Sequence, residues 1–438
     1  MNSLKTYLLL AGLTISQLVH AEPKSPNWPK IYTDKLFHLT EIMVTDVASP
    51  PVAARIYAYA TLASYLTIKD QGIEFKHSSL LGGTYLTKNS WSTENTTLKS
   101  PEFAAIIAML KVGEAIMPSG YLLKEKQEEW ISEALKAKII SKKELQGHLE
   151  YGTEIAKSVM EIAKKDGYLQ LSTLTRYTPS QGEGFWYPTP PAYIAAVEPE
   201  WKTIKPFFIE DLGAYKPASM APFNLTEGSS FHTQLMEIYT VTQKLTEEQK
   251  LIANFWDCNP FMVDFSGHMA IGIKKISPGG HWIGITGIAA EKQQLSFAET
   301  AYVHALVGLT LHDAFISCWQ AKYETNRIRP ETVINQKMDQ RWRPQLQTPP
   351  FPEYTSGHSV ISRASAVVLT GYFGDNFEFI DTSELYFGLP ERPFKSFLLA
   401  SEEAAISRLY GGIHFRDAIE GGVKQGEKIG KMIWEKTK

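Results

Sequence analysis

Apolar residues recur at three- and four-residue steps along most of the chain, which is the period of an amphipathic helix. "TDKLFHLTEIMVTDVA" and "PPVAARIYAYATLASYLTIK" are the first two such runs, with Pro50 and Pro51 punctuating the boundary between them. "SPEFAAIIAMLKVGEAIM" repeats the pattern, with Ser100 placed to cap a helix and Pro101 to open its first turn. From about Glu125 to Lys165 the chain is rich in Glu, Lys, Ala and Ile, and runs such as "KQEE" and "SKKE" read as solvated helix faces. The helical period returns from about Phe231 to Phe255, Gln294 to Lys322, Gly357 to Tyr372, and Phe394 to the C-terminus. Strand-like alternation is scarce. The pattern predicts an all-α fold, either one large helical bundle or two fused bundles.

Two stretches break the period. Between Tyr177 and Pro222 prolines and aromatics crowd together ("YTPSQGEGFWYPTPPAYIAAVEPEWKTIKPFF"), so no continuous helix fits. That segment is expected to be an ordered loop laid over the helices, because its tryptophans would otherwise be exposed. At the N-terminus, "MNSLKTYLLLAGLTISQLVHA" sets Lys5 before an apolar run and ends in small residues, the layout of a cleavable secretory signal. The expected organisation is a signal at 1–21, a helical region at 22–176, the proline and aromatic-rich loop at 177–222, and a C-terminal helical domain at 223–438. Cleavage after Ala21 places the mature protein in the periplasm or outside the cell.

Composition narrows the function. The chain has 438 residues, 44% hydrophobic and 21% charged, as in globular proteins. A net charge of −3 supplies no basic field for nucleic acid. After the first twenty residues, no charge-free run is long enough to span a membrane. Cys258 and Cys318 are the only cysteines, and the sequence leaves open whether they pair. No CxxC or Cys/His zinc spacing is present, so a structural zinc site is not expected.

Candidate chemistry clusters in the last third. "KYETNRIRP" holds Lys322 and Arg329 seven residues apart, close to two helical turns, a spacing that would put both cations on one helix face. "PPFPEYTSGHSVIS" sets Ser356, Gly357 and His358 at the start of an apolar helix. "SRLYGGIHFRD" ends one helix at Arg408, breaks at Gly411 and Gly412, and begins again near His414. Each cluster has an ordinary reading: a Ser356 helix cap, an Arg408 paired with Glu402 or Glu403, an interior histidine at 414. Together they supply three permanent cations, a hydroxyl, a glycine N–H and two histidines at helix ends. That set can hold a tetrahedral or trigonal-bipyramidal oxyanion, with one imidazole facing its central atom and another moving protons.

The order and spacing of Lys322, Arg329 and Pro330, then Ser356, Gly357 and His358, then Ser407, Arg408 and His414 resemble the signature shared by vanadium-dependent haloperoxidases and type 2 phosphatidic acid phosphatases. The close resemblance spans about Lys322 to Gln425. It implies that Lys322, Arg329, Ser356, Gly357 and Arg408 hold the oxygens of vanadate, or of phosphate in a phosphatase. His414 would be the apical vanadate ligand or the phosphoryl-accepting nucleophile, His358 the general acid/base, and Lys322 the group that polarises peroxide. Phe351 falls near the halide position. Thr355 stands where the family has proline. The family often carries an aspartate four residues after the last histidine; here that position is Ala418, and Asp417 is expected to orient His414 in its stead. Asp257 is a second candidate carboxylate, as a buried partner for an arginine. The resemblance thus implies an exported enzyme that uses hydrogen peroxide to oxidise halide. The alternative is a periplasmic acid phosphatase acting on a phosphate ester, and a non-enzymatic helical binding protein is disfavoured by the intact cations and histidines.

Overall fold

A computed structural model describes residues 26–74, 80–81, 97–190, 192–266 and 268–438. The signal at 1–21 lies outside them. The chain is built from helices α1 (Trp28–Thr45), α2 (Pro50–Asp70), α3 (Pro101–Ile116), α4 (Leu123–Lys136), α5 (Lys142–Ala163), α6 (Ser230–Gln243), α7 (Glu247–Phe255), α8 (Pro278–Lys292), α9 (Phe297–Thr325), α10 (Pro330–Lys337), α11 (Gly357–Phe373), α12 (Phe397–Tyr410) and α13 (Arg416–Thr437). Two short antiparallel hairpins complete it: β1 (Val263–Ser266) with β2 (Met269–Gly272), and β3 (Phe379–Asp381) with β4 (Arg392–Phe394). The all-α expectation therefore holds, with these hairpins as the only strands among the described residues.

Local chemistry starts the helices. Ser296 and Glu299 form a capping box at α9, Thr246 and Gln249 another at α7, and Ser141 and Glu144 a third at α5. Ser100 departs from expectation: its hydroxyl donates to the Ile139 carbonyl at 2.6 Å instead of accepting from the first turn of α3.

Helix α9 is buried on nearly every side and is the axis of the molecule. It satisfies the length and composition of a membrane span, yet its apolar window is wholly buried inside the protein. Helix α2 runs along one flank of it and α11 along another, while α11 is in turn covered by α12 and α13. Helix α8 was not foreseen, because Gly279, Gly280, Gly284 and Gly287 each weaken a helix by ~1 kcal/mol relative to alanine. Packing overrides propensity there: a Cβ at Gly280 would lie 2.8 Å from the Tyr57 hydroxyl, and one at Gly287 2.5 Å from Thr33.

The proline and aromatic-rich loop is ordered over the helices as expected, with Trp186, Trp201, Phe207 and Phe208 buried. Asp313, inside α9, anchors it by accepting the N–H groups of Phe207, Phe208 and Ile209 at 2.7, 2.7 and 2.9 Å. Burial raises the Asp313 carboxyl to about 6 against the pull of those three donors.

Candidate active site

The three sequence clusters converge on one buried pocket. Lys322 lies in the last turn of α9, which ends at Thr325 with Asn326 in the left-handed region at φ 48°. The chain then turns, and Arg329 becomes the residue that precedes Pro330 at the start of α10. The two cations therefore do not share a helix face, contrary to the spacing argument; the turn between two helices brings them together. Both are fully buried.

What satisfies these cations is the proline run. Pro349, Pro350 and Pro352 have no N–H, so the segment offers carbonyls without matching donors. Arg329 donates from Nε to the Phe351 carbonyl at 2.9 Å and from Nη2 to that of Pro352 at 3.4 Å. Lys322 Nζ donates to the carbonyls of Pro352 and Glu353, both at 3.1 Å, and to that of Thr355. All three ammonium protons are thus held by the backbone that delivers Ser356. Burial first, then the neighbouring Arg329, lowers Lys322 to about 7, and burial lowers Arg329 to about 10.

Ser356 serves the role of a cap as well as a site residue. Its Oγ accepts from the Ser359 backbone at 3.4 Å and bonds the Ser359 hydroxyl at 2.9 Å. Gly357 and His358 open α11 and face a cavity of about 40 Å³, whose wall also includes Arg408, His414, Phe351 and Trp319. Phe351 packs against Trp319 with ring centroids 5.0 Å apart, and Lys322 Nζ lies 5.1 Å from the Phe351 ring.

Arg408, near the end of α12, donates to the Ser407 hydroxyl at 2.9 Å and to the Trp256 carbonyl at 2.6 Å. It does not pair with Glu402 or Glu403, which bind Arg363 and Arg392. The same Trp256 carbonyl lies near His358 and favours its protonated form, against burial. His358 Nε2 is buried without a hydrogen-bond partner. His358 is pushed well below 6.5 by burial and by Arg408, so the ring is neutral.

His414 sits in the link between α12 and α13. Its Nδ1 lies 2.9 Å from Glu353 Oε1, which also accepts the Phe415 N–H at 2.8 Å. Its Nε2 lies 3.1 Å from Arg329 Nη1, a pure donor, so Nε2 is an acceptor and Nδ1 bears the proton. Burial, Arg329 and Lys322 hold His414 well below 6.5. Burial raises Glu353 to about 7, opposed by Arg327.

This corrects the expectation for Asp417. Asp417 accepts from Arg327 Nη1 at 2.5 Å and from the Ala221 N–H at 2.9 Å, and it makes no bond to His414. Arg327 also donates to Glu353 Oε2 at 3.2 Å, so Asp417 acts on the histidine only through two intermediaries. Asp257 is corrected too: its hydrogen-bond partner is Lys275, and it reaches Arg408 only through its field. The sequence reading missed Glu353, Arg327 and Trp256. Glu353 lay inside the quoted "PPFPEYTSGH", but its charge looks like any other until the fold sets it beside a histidine 61 positions away. Cys258 and Cys318 are separate buried thiols.

A family model described as the VCPO second helical-bundle domain matches residues 302–438. The fold is similar to a bacterial vanadium-dependent iodoperoxidase at TM-score 0.82 and 40% sequence identity, covering 95% of this chain and 97% of that one. It is also similar to the holo and apo crystal structures of a bacterial vanadium-dependent chloroperoxidase, at TM-scores of 0.66 and 0.65 and 16% identity. Those alignments cover 89% and 88% of this chain and 92% of each of theirs, a likeness of fold alone. No curated protein sequence matches the chain. An all-helical architecture shared across nearly the whole length, at 40% identity with the iodoperoxidase, places the chain among the vanadium-dependent haloperoxidases, as an enzyme of that family.

Proposed function

We propose that the pocket between α9, α11 and α12 binds vanadate and that the protein uses hydrogen peroxide to oxidise halide, with iodide as the halide it handles best. The observation that carries the reading is the pair of buried neutral imidazoles beside the cations. His414 Nε2 is bonded only to Arg329, and His358 Nε2 has no partner. A site of this kind is complementary to an oxyanion with an open coordination position. Iodide is favoured because the 40%-identical relative is an iodoperoxidase.

The chain's own residues fit the group. Glu353 fixes the His414 tautomer so that Nε2 is the ligand atom, the usual arrangement of a carboxylate behind a metal-bound imidazole. Arg329 and Arg408 supply permanent charge, and the Gly357 N–H at the start of α11 adds the helix's positive end. Lys322 lends charge, but direct contact with an oxygen requires it to release one of its three carbonyls. The chemistry a bound vanadate supplies is Lewis-acid activation of peroxide toward halide. His358 takes the proton that peroxide gives up, and Phe351 and Trp319 line the side from which halide arrives.

Export through the first 21 residues is part of the same proposal, supported by their three-part layout; N-terminal sequencing of native protein that found Met1 intact would refute it. The activity is tested by side-by-side assays of purified protein. Oxidation of iodide, bromide and chloride with peroxide and vanadate is compared with hydrolysis of a phosphate ester. Vanadate-dependent iodide oxidation, abolished in His414→Ala, is expected. Ester turnover with trapped phosphohistidine at 414 and no halide oxidation would assign the pocket to phosphoryl transfer.

A further inference from the structure

Behind the anion pocket, three segments distant in sequence bring Cys258, His281 and Glu384 together. Cys258 follows α7 and contributes to the wall of the active-site cavity. His281 lies in the first turn of α8, and Glu384 follows β3. Their Sγ, imidazole nitrogen and carboxylate oxygen all lie within 4.8 Å of one another. Sγ is 3.4 Å from His281 Nδ1, and Nδ1 is 3.1 Å from Glu384 Oε1.

Two observations point to a ligand. The first is a donor shortage. Nδ1 offers one proton to two acceptors, and Glu384 Oε1, in a residue only 4% exposed, makes no well-aligned hydrogen bond, its 3.1 Å approach to Nδ1 included. A buried carboxylate oxygen whose only neighbouring donor is a shared, poorly aligned N–H is under-satisfied and favours a cation. The second is the far side of the ring. His281 Nε2 lies 2.7 Å from Asp381 Oδ2, whose other oxygen is held by the Ser383 N–H and hydroxyl at 3.0 and 2.6 Å. A carboxylate behind the imidazole, itself anchored, is the arrangement that aims a histidine at a metal. The Sγ–Nδ1 separation of 3.4 Å agrees, since zinc bonds of roughly 2.0–2.3 Å at tetrahedral angles put ligand atoms roughly 3.3–3.6 Å apart.

We propose that Cys258 Sγ, His281 Nδ1 and Glu384 Oε1 form a zinc site, with Asp381 as its positioning carboxylate. Soft thiolate, imidazole and carboxylate together select zinc over magnesium or calcium. Binding exchanges protons for metal. The Cys258 S–H and the His281 Nδ1–H bonds break, Zn–S and Zn–N bonds form, and the protons leave to solvent. A fourth ligand is not supplied by the protein cluster, as in open zinc sites. The site braces the reaction centre by packing: the His281 ring stacks on Trp256 at 4.4 Å and 17°, and the Trp256 carbonyl accepts from Arg408. The absence of a short Cys/His spacing in the sequence does not bear on it, since the ligands come from three separate segments.

The test uses the full mature chain, stripped with chelator, given zinc, exchanged into zinc-free buffer and analysed for metal. Vanadate, peroxide and halide are left out, so the result is independent of the proposed activity. About one zinc per chain should stay with wild type and with Cys318→Ser, and under about a tenth of that with Cys258→Ser. Asp381→Asn should weaken zinc ~10–100-fold. Cobalt in place of zinc should give a thiolate-to-metal charge-transfer band that Cys258→Ser lacks. If Cys258→Ser fails to fold, Glu384→Gln and the wild-type cobalt band decide. Wild type that retains no zinc and shows no such band, or Cys258→Ser and Glu384→Gln that retain as much zinc as wild type, would overturn the site.

Discussion

Glu353 determines which nitrogen of His414 faces the cations. With Nδ1–H held at 2.9 Å by Glu353 Oε1, the lone pair can only be on Nε2. Glu353→Gln keeps the shape but makes the partner neutral and able to flip, so vanadate affinity should fall ~10–100-fold, read by equilibrium binding. Asp417→Asn should cost less than about threefold, because Asp417 touches Arg327 and not the histidine. Equal losses in the two variants would restore Asp417 to the role the sequence suggested. A second residue-scale consequence concerns pH. Lys322 sits at about 7 in the anion-free pocket, so it is a cation below that pH and neutral above it. An anion favours the charged form and raises that pKa on binding. Affinity should therefore be highest below pH 7 and fall above it, by up to about tenfold per unit for one linked proton. Glu353, held near 7 by burial, gains negative charge over the same range and pushes the same way. Sulfate, whose own charge is constant there, is the suitable probe. Its thermal stabilisation should be larger at about pH 6 than at about pH 8.5, and Lys322→Met should flatten the difference.

At the scale of elements, α13 matters as much as the helices that carry the signature. Gly422, Gly426 and Gly430 recur every fourth residue on the face of α13 that meets α11. A Cβ at Gly426 would come within 2.1 Å of the Val360 carbonyl, and one at Gly422 within 2.9 Å of the Ser356 carbonyl. This close approach sets where the first turn of α11 stands, and with it Ser356, Gly357 and His358. Gly426→Ala should force the helices apart at a cost of ~1–3 kcal/mol, seen as a lower melting temperature, and weaken anion binding although no ligand contact is altered. An unchanged melt would show that the interface yields freely. The period of three and four made α13 legible in the sequence, and the spacing of the three motifs made the pocket legible. The glycines of α8 concealed a helix because their purpose, contact with Tyr57 and Thr33, exists only in the packed molecule. Glu353 and His281 were hidden for the same reason: a carboxylate or histidine acquires its meaning from a partner that sequence distance conceals.

For the molecule as a whole, the sequence reading separated a region at 22–176 from a catalytic domain at 223–438, whereas the hydrophobic core crosses that division. One continuous cluster of buried side chains runs from Tyr32 in α1 and Leu66 in α2 through Leu309 in α9 to Ile433 in α13. Helix α9 is the shared element. The matched family region begins at residue 302, inside α9, so that limit is not a boundary of the fold. Removing the first 222 residues would strip α2 from α9 and leave a long apolar face in water. It would also leave the Asp313 carboxylate without the three N–H donors of Phe207, Phe208 and Ile209. Trp319 and Tyr323, which donate to the Val197 carbonyl at 3.2 and 2.6 Å, would lose that anchor beside Lys322. A fragment of residues 223–438 should therefore aggregate or remain loosely packed, with helical far-ultraviolet dichroism but no cooperative melt and no sulfate-induced stabilisation. A soluble fragment that melts sharply and is stabilised by sulfate would instead establish the C-terminal region as a domain that folds alone and carries the anion pocket by itself.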